Sequence, residues 1–226
     1  MADLQIETTP RQWTRRSGDA VALVAGLAVL GVGMISVRDG TVPGWERDVF
    51  DAVNGLPDWL YPPAWPIQQR GVLVIGPIVA LVAALTRRFR LALAALLATV
   101  AKLTLEQVVK AMVSRERPGT SIGGDIETRG DVSVRGESFV SGHAILAAAL
   151  AGVVTPYLPG RWKVVPWVLV ALVMVGRIYV GAHNPLDVVC GAALGLAIAS
   201  GINLLLGVPV GAREPESTPA PTGTHR

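Results

Sequence analysis

The chain has 226 residues, 51% of them hydrophobic, with a mean hydropathy of +0.47 and a formal net charge of +3. Its charges gather between long apolar runs, which excludes an ordinary soluble domain, and one membrane-embedded domain leaves no room for a second folded unit. The single cysteine, Cys190, excludes an intrachain disulfide and, lying inside an apolar run, reads as core packing.

Residues 1–19 are polar and carry Arg11, Arg15 and Arg16, a flank of cytoplasmic type with Trp13 placed to rest at the interface. The first apolar run, about 20–37, lacks a small-residue cleavage site and is long enough to stay as a span. Its Gly26, Gly31 and Gly33 read as close helix contacts. Residues 38–70 are acidic and rich in tryptophan and proline. Trp45, Trp59, Tyr61 and Trp65 point to a segment lying along the outer interface.

Span two is expected over 67–85, followed by the basic turn Thr86–Arg90. Span three is expected over 91–113. Its Lys102, Glu106 and Lys110 fall at i, i+4 spacing and share one helix face. Lys102 and Glu106 then lie within the membrane, most simply as an ion pair turned to other helices, with Glu106 also placed to hold Lys110. A polar loop over 114–140 carries Arg115-Glu116-Arg117-Pro118 and Gly119, Gly123 and Gly124; a connection this long is usually functional or mobile. Ser141 is a natural N-cap for span four, 144–157, with His143 in its first turn. The turn at 158–163 is basic, span five covers 164–180 and span six covers 186–207. The tail 208–226, with His225, has a disordered composition. The expected architecture is all-α: a six-span bundle over 20–207, between a polar segment 1–19 and the tail 208–226.

Basic flanks orient such a chain. The N-terminus, the turns at 86–90 and 158–163 and the tail fall on the cytoplasmic side of a cell membrane. The connections at 38–70, 114–140 and 181–184 fall outside. Lys110, Arg117, Ser141, Gly142, His143, Arg177, His183 and Asp187 therefore all lie at the outer ends of spans three to six, although none of them entered the topology argument.

Polar groups between apolar runs mark a site by default. Asn184-Pro185 reads as a helix start, which puts His183 just outside the helix and Asp187 one turn inside it. A carboxylate there can take the proton of one imidazole nitrogen and leave the other free to attack. Lys110, Arg117 and Arg177 offer three fixed positive charges. Ser141 and the Gly142 amide offer neutral donors at a helix start. Together these suit a phosphoryl group, whose oxygens share the charge of the transition state. No cluster of carboxylates or cysteines suggests a metal, and no cofactor is expected.

Lys110-x6-Arg117-Pro118, Ser141-Gly142-His143 and Arg177-x5-His183-x3-Asp187 together resemble the three-part signature of the type 2 phosphatidic acid phosphatase superfamily. The resemblance covers 91–206. Val140 stands where the family usually has proline, and Gly176 where it usually has serine, which removes one possible phosphate donor. The resemblance implies that His183 attacks phosphorus to form a phosphohistidine. Asp187 orients His183, and His143 donates a proton to the leaving group and then activates water. Lys110, Arg117 and Arg177 hold the phosphate with Ser141 and Gly142. The implied activity is a metal-independent membrane phosphatase acting on a lipid phosphate or diphosphate, with a polyprenyl diphosphate placed first. Phosphatidate or phosphatidylglycerol phosphate is the alternative, as is a lipid-linked phosphotransferase. A haloperoxidase disagrees with the six spans. A non-catalytic channel built on Lys102 and Glu106 is the rival from another class. The expected partners are the membrane and its lipid phosphate, and no nucleic acid.

Overall fold

A computed structural model describes residues 12–63, 72–124, 126–133 and 135–210. Within them run α1 (Ser17–Ser36), α2 (Gly44–Asn54), α3 (Val72–Leu85), α4 (Phe89–Met112), α5 (Pro118–Ser121), α6 (Gly142–Val154), α7 (Val165–Tyr179) and α8 (Pro185–Leu206). A 3-10 turn at Thr155–Tyr157 extends α6, and another at Gly160–Val164 leads into α7. Four segments are long and apolar enough to cross a membrane: Ser17–Ser36, Phe89–Met112, Gly160–Tyr179 and Pro185–Leu206. Two others expected as spans are shorter, Leu73–Leu85 and Gly142–Tyr157. Six crossings therefore depend on two short helices. The start expected for span two, 67–71, lies outside the described residues.

α8 is the axis of the bundle, packed against α1 and α6, while α4 packs on α3 and α6. Small residues set these distances, as close helix crossings in apolar surroundings require. Gly195 lies against the Ile145 carbonyl and Ala148, Gly191 against Ala144, and Gly152 against Ala199. On α1, Gly26 meets Ala193 and Ala197, and Gly33 meets Cys190. Gly31 faces open space, so the contact expected there is absent among the described residues. Leucine, valine and isoleucine side chains on the outer faces of α1, α3, α4 and α7 stay exposed, which suits contact with hydrocarbon.

The connection expected to lie along an interface contains α2. Glu46, Phe50 and Asn54 recur every four residues and are buried, while Trp45 and Val49 on the other faces are exposed. The buried face packs on α7 and α8. At the far end of the bundle, β1 (Trp13–Thr14) pairs antiparallel with β2 (Val208–Pro209). Arg90 lies over the Trp13 ring at 4.2 Å and donates to the Leu206 carbonyl, and Arg15 donates to the Leu204 carbonyl. Both cations thereby satisfy the carbonyl end of α8. Residues from 208 are expected from composition to be disordered, but Val208 and Pro209 are held in this pairing. Residues 211–226, with His225, lie outside the described residues, as do Arg11 and Trp65.

Candidate active site

Four chain segments meet at one end of the bundle. The last turn of α4 brings Lys110, the following loop brings Arg117, the start of α6 brings Gly142 and His143, and the end of α7 and the turn after it bring Arg177 and His183. With Leu73, Lys102, Glu106 and Leu146 they line a pocket of about 220 Å³. Six of the eight site residues expected from sequence thus face one cavity. Ser141 and Asp187 stand directly behind it, fully buried.

The turn between α7 and α8 explains where His183 sits. Gly181 takes φ +76, a conformation open to glycine, and the chain reverses within five residues. Asn184 and Asp187 then form a capping box, in which Asp187 Oδ2 accepts from the Asn184 amide at 2.8 Å. That bond fixes the Asp187 carboxylate beneath the His183 ring. The Nδ1–Oδ2 distance is 3.7 Å, longer than a hydrogen bond, so the direct imidazole–carboxylate bond expected from spacing is not made. Ser138 stands between the two groups. Its hydroxyl donates to Asp187 Oδ2 and lies 3.4 Å from His183 Nδ1. With Nδ1 turned to Ser138 and Asp187, Nε2 is the nitrogen left for the pocket.

Burial holds the His183 pKa down to about 4. The carboxylate of Asp187 opposes this, and the charges of Arg177 and Arg117 add to it. The ring is therefore neutral at pH 7, the form that can act as a nucleophile. Arg117 is tied to the same turn, donating to the Ala182 carbonyl at 2.9 Å. Its pKa is lowered, chiefly by burial, with Asp187 and Glu106 opposing.

On α4, Lys102, Glu106 and Lys110 form the expected row. Glu106 Oε2 lies 2.6 Å from the Lys102 amine, and Oε1 accepts from Lys110 at 2.8 Å. Glu106 thus positions Lys110 at the pocket wall. It also abuts the start of α6, where a Cβ on Gly142 would fall 2.6 Å from Oε2 and push the Glu106 carboxylate from its place. Ser141 occupies the N-cap position of α6, but its hydroxyl makes no cap bond and no hydrogen bond to the described residues. Its amide donates to the Asp187 carbonyl at 3.0 Å and locks the starts of α6 and α8 together.

Three residues of this centre were not among those expected from sequence: Ser138, Arg115 and Glu46. Arg115 and Arg117 are two apart on an extended stretch, which turns both toward the α7–α8 turn. Arg117 reaches the pocket side of the turn, whereas Arg115 reaches its rear and binds Asp187 and Glu46. Among the described residues, no group of three or more His, Cys, Asp or Glu side chains is placed to hold a metal ion.

The chain is similar to known proteins in two ways. The model of the PAP2 superfamily matches residues 91–207, just over half of the chain. Among solved structures, LpxE of Aquifex aeolicus is similar with a TM-score of 0.54 and 22% identity, over 67% of this chain and 90% of that one. A transmembrane PAP2-type phosphatidylglycerolphosphate phosphatase from Bacillus subtilis is similar with a TM-score of 0.59 and 20% identity, over 80% of this chain and 94% of that one. Comparison with the curated proteins gives no match.

Proposed function

Because the chain belongs to the PAP2 superfamily and has the fold of its membrane phosphatases, we propose that it is an integral membrane phosphatase acting on a lipid phosphate through a phosphohistidine at His183. The observation that carries this reading is the pocket itself. Lys110, Arg117 and Arg177, from three separate segments, line one cavity with His143 and His183, and a buried carboxylate stands behind the His183 ring.

The chemistry follows from these positions. The phosphoryl oxygens of the substrate sit among the three cations, which draw charge from phosphorus and stabilise the transition state. His183 Nε2 forms a bond to phosphorus as the bond from phosphorus to the lipid oxygen breaks. His143 gives its proton to that oxygen, and the lipid alcohol, or a lipid monophosphate when a diphosphate is cleaved, departs. His143 then takes a proton from water as the water oxygen attacks phosphorus. The N–P bond breaks, which releases inorganic phosphate and restores His183. Asp187, with Ser138, holds the ring in register and stabilises the positive charge it gains in between. The three cations take the charge-neutralising role, so no metal enters a step.

The substrate placed first is a polyprenyl diphosphate. The likeness to the Bacillus subtilis phosphatidylglycerolphosphate phosphatase favours that lipid as the second reading. Arg15, Arg16, Arg87, Arg88, Arg90, Arg161 and Lys163 all lie in segments at the end opposite the pocket. The positive-inside tendency then puts that end in the cytoplasm and the pocket on the outer side of the cell membrane.

The test is phosphate release from purified protein in detergent, across phosphatidate, phosphatidylglycerol phosphate and a polyprenyl diphosphate, with His183→Ala as the blank. Release by the wild-type protein and none by the folded variant is expected. Near-normal release by the variant overturns the mechanism. Activity should persist in EDTA; a loss restored by one divalent ion overturns the metal-free step. Adding an acceptor lipid separates hydrolysis from phosphotransfer, since transfer yields a new phospholipid in place of free phosphate.

A further inference from the structure

We infer that Arg115 and Glu46 are positioning residues for the nucleophile, holding the Asp187 carboxylate in the orientation that His183 needs; this rests on the phosphatase reading above. Neither residue belongs to the three-part signature, and neither lines the pocket.

The side chains of Arg115, Glu46 and Asp187 are all fully buried. One Arg115 amino group donates to Glu46 Oε1 at 3.1 Å and to Asp187 Oδ1 at 2.9 Å. The other donates to Glu46 Oε2 at 2.5 Å and to the Thr41 carbonyl at 3.4 Å. The planar guanidinium therefore bridges two carboxylates in a fixed geometry, which a lysine cannot copy. Glu46 Oε1 also accepts the Leu186 amide at 2.8 Å, one of the unpaired donors at the start of α8. Asp187 has its Oδ1 on Arg115, and its Oδ2 on the Asn184 amide and the Ser138 hydroxyl. The Ser138 amide in turn donates to the Arg115 carbonyl at 2.7 Å, so Arg115 anchors both partners that face His183 Nδ1.

Arg115 has no role as a phosphate ligand in this arrangement, because its amino groups are spent on protein oxygens. Its pKa is raised: burial works against the charge, and the Glu46 and Asp187 carboxylates outweigh it. The guanidinium is thus a permanent cation that acts on the reaction only through Asp187. The same lattice makes α2, otherwise a short helix on the side of the bundle, part of the catalytic frame.

A clamp serving only to hold α2 in place would make the same contacts, so the test must read chemistry apart from folding. Arg115→Met, Arg115→Lys, Glu46→Gln and Asp187→Asn are compared with Arg115→Met/Asp187→Asn, using the best hydrolysed of the three lipids above. Retained melting temperature in detergent selects the folded variants. For Arg115→Met, kcat is expected to fall about 10- to 100-fold, the range typical for loss of an orienting group. KM and inhibition by inorganic vanadate should stay within about 3-fold, because the pocket cations are untouched. Arg115→Lys should recover part of the loss. Glu46→Gln keeps the shape and loses the charge, so it should lower kcat by a smaller factor in the same direction. The double variant should be no slower than Asp187→Asn alone, since Arg115 then has nothing to orient.

Unchanged kcat in folded Arg115→Met overturns the inference and leaves the phosphatase reading standing. So does a loss that multiplies with Asp187→Asn or appears equally in vanadate binding. If Arg115→Met does not fold, unchanged kcat in Glu46→Gln overturns it. A wild-type protein inactive on all three lipids removes the phosphatase reading and this inference with it.

Discussion

α6 and α8 both begin at the pocket end of the bundle, joined where the Ser141 amide donates to the Asp187 carbonyl. Their starts are used differently. At α8, the protein's own carboxylates fill the positive end of the helix: Asp187 takes the Asn184 amide and Glu46 takes the Leu186 amide. At α6, the Ser141 hydroxyl makes no cap bond, and Gly142 and His143 face the pocket beside Lys110, Arg117 and Arg177. One helix start has its amides bound by protein carboxylates, whereas the other has Glu106 alongside but no side-chain cap bond. The charge balance follows the same division. The pocket wall carries Lys102, Lys110, Arg117 and Arg177 against Glu106, and the rear carries Glu46 and Asp187 against Arg115. The pocket side is thus left with an excess of positive charge, which suits an anionic ligand. The rear is corrected by α8 itself.

Removing one charge from each side should separate the two sharply. Arg177→Met takes away a buried cation that faces the cavity. A loss of about 10²- to 10³-fold in kcat/KM is expected, the scale for losing one preorganised partner of transition-state charge. The melting temperature should fall less than in the rear variant, where an ion network fully enclosed by protein is broken. Asp187→Ala removes a charge from the rear and should lower both quantities. Activity should fall to near the blank, and stability by about 3 kcal/mol, because a buried ion network loses a partner. Activity assays paired with thermal unfolding in one detergent check both. Equal destabilisation by the two variants would erase the distinction between open and closed helix starts.

A third test uses pH. Burial and the pocket cations hold His183 to about 4, below the ordinary 6.5 of histidine. The reactive form is the neutral ring, so the acid limb of kcat/KM should fall at about 4. Arg117→Gln removes one of the charges that disfavour the imidazolium. It should move this acid limb upward, toward 6.5, besides weakening phosphate binding. A wild-type acid limb between 6 and 7, or one that Arg117→Gln leaves in place, counts against a His183 held neutral by its surroundings.

Most of the pocket side was legible in the sequence because its charged residues break an apolar run or flank one, while Arg117, in a polar loop, stood out only through its spacing from Lys110 in the family signature. Lys110, Arg177 and His183 stand out against hydrophobic neighbours, and helix periodicity places Lys102, Glu106 and Lys110 on one face. The rear carries no such contrast. Glu46 lies in an acidic, tryptophan-rich stretch that reads as interfacial, and its partners Arg115 and Leu186 are 69 and 140 positions away. The buried face of α2 is Glu46, Phe50 and Asn54, polar at two of three positions, so hydrophobic patterning does not reveal that it packs at all. Arg115 sits among other charges in a polar loop, where a solvated arginine is the ordinary expectation. Arg129, in the same loop, carries no sequence sign of its burial either. It is buried over the Tyr179 ring at 4.3 Å and donates to the Asn54, Leu56 and Tyr179 carbonyls. Helix ends set by local chemistry were legible, as Asn184-Pro185 shows. The shortness of α6 was legible only in part: its start at Gly142 follows from Ser141, but its passage into a 3-10 turn at Thr155 is a backbone detail.

The smallest effect separates the two helix starts most cleanly. A serine at an N-cap ordinarily stabilises its helix, and replacement by alanine costs about 1 kcal/mol. The Ser141 hydroxyl is buried and makes no cap bond, so Ser141→Ala removes a polar group that the folded chain leaves unsatisfied. Its melting temperature should therefore be unchanged or slightly higher. In activity the sign reverses. If the hydroxyl is kept for the phosphoryl oxygens, its loss should lower kcat/KM by up to about 10-fold, the worth of one neutral hydrogen bond. Inhibition by vanadate should weaken by a similar factor. A drop in melting temperature of the usual capping size, with activity intact, would make Ser141 an ordinary cap and leave α6 closed at its start like α8.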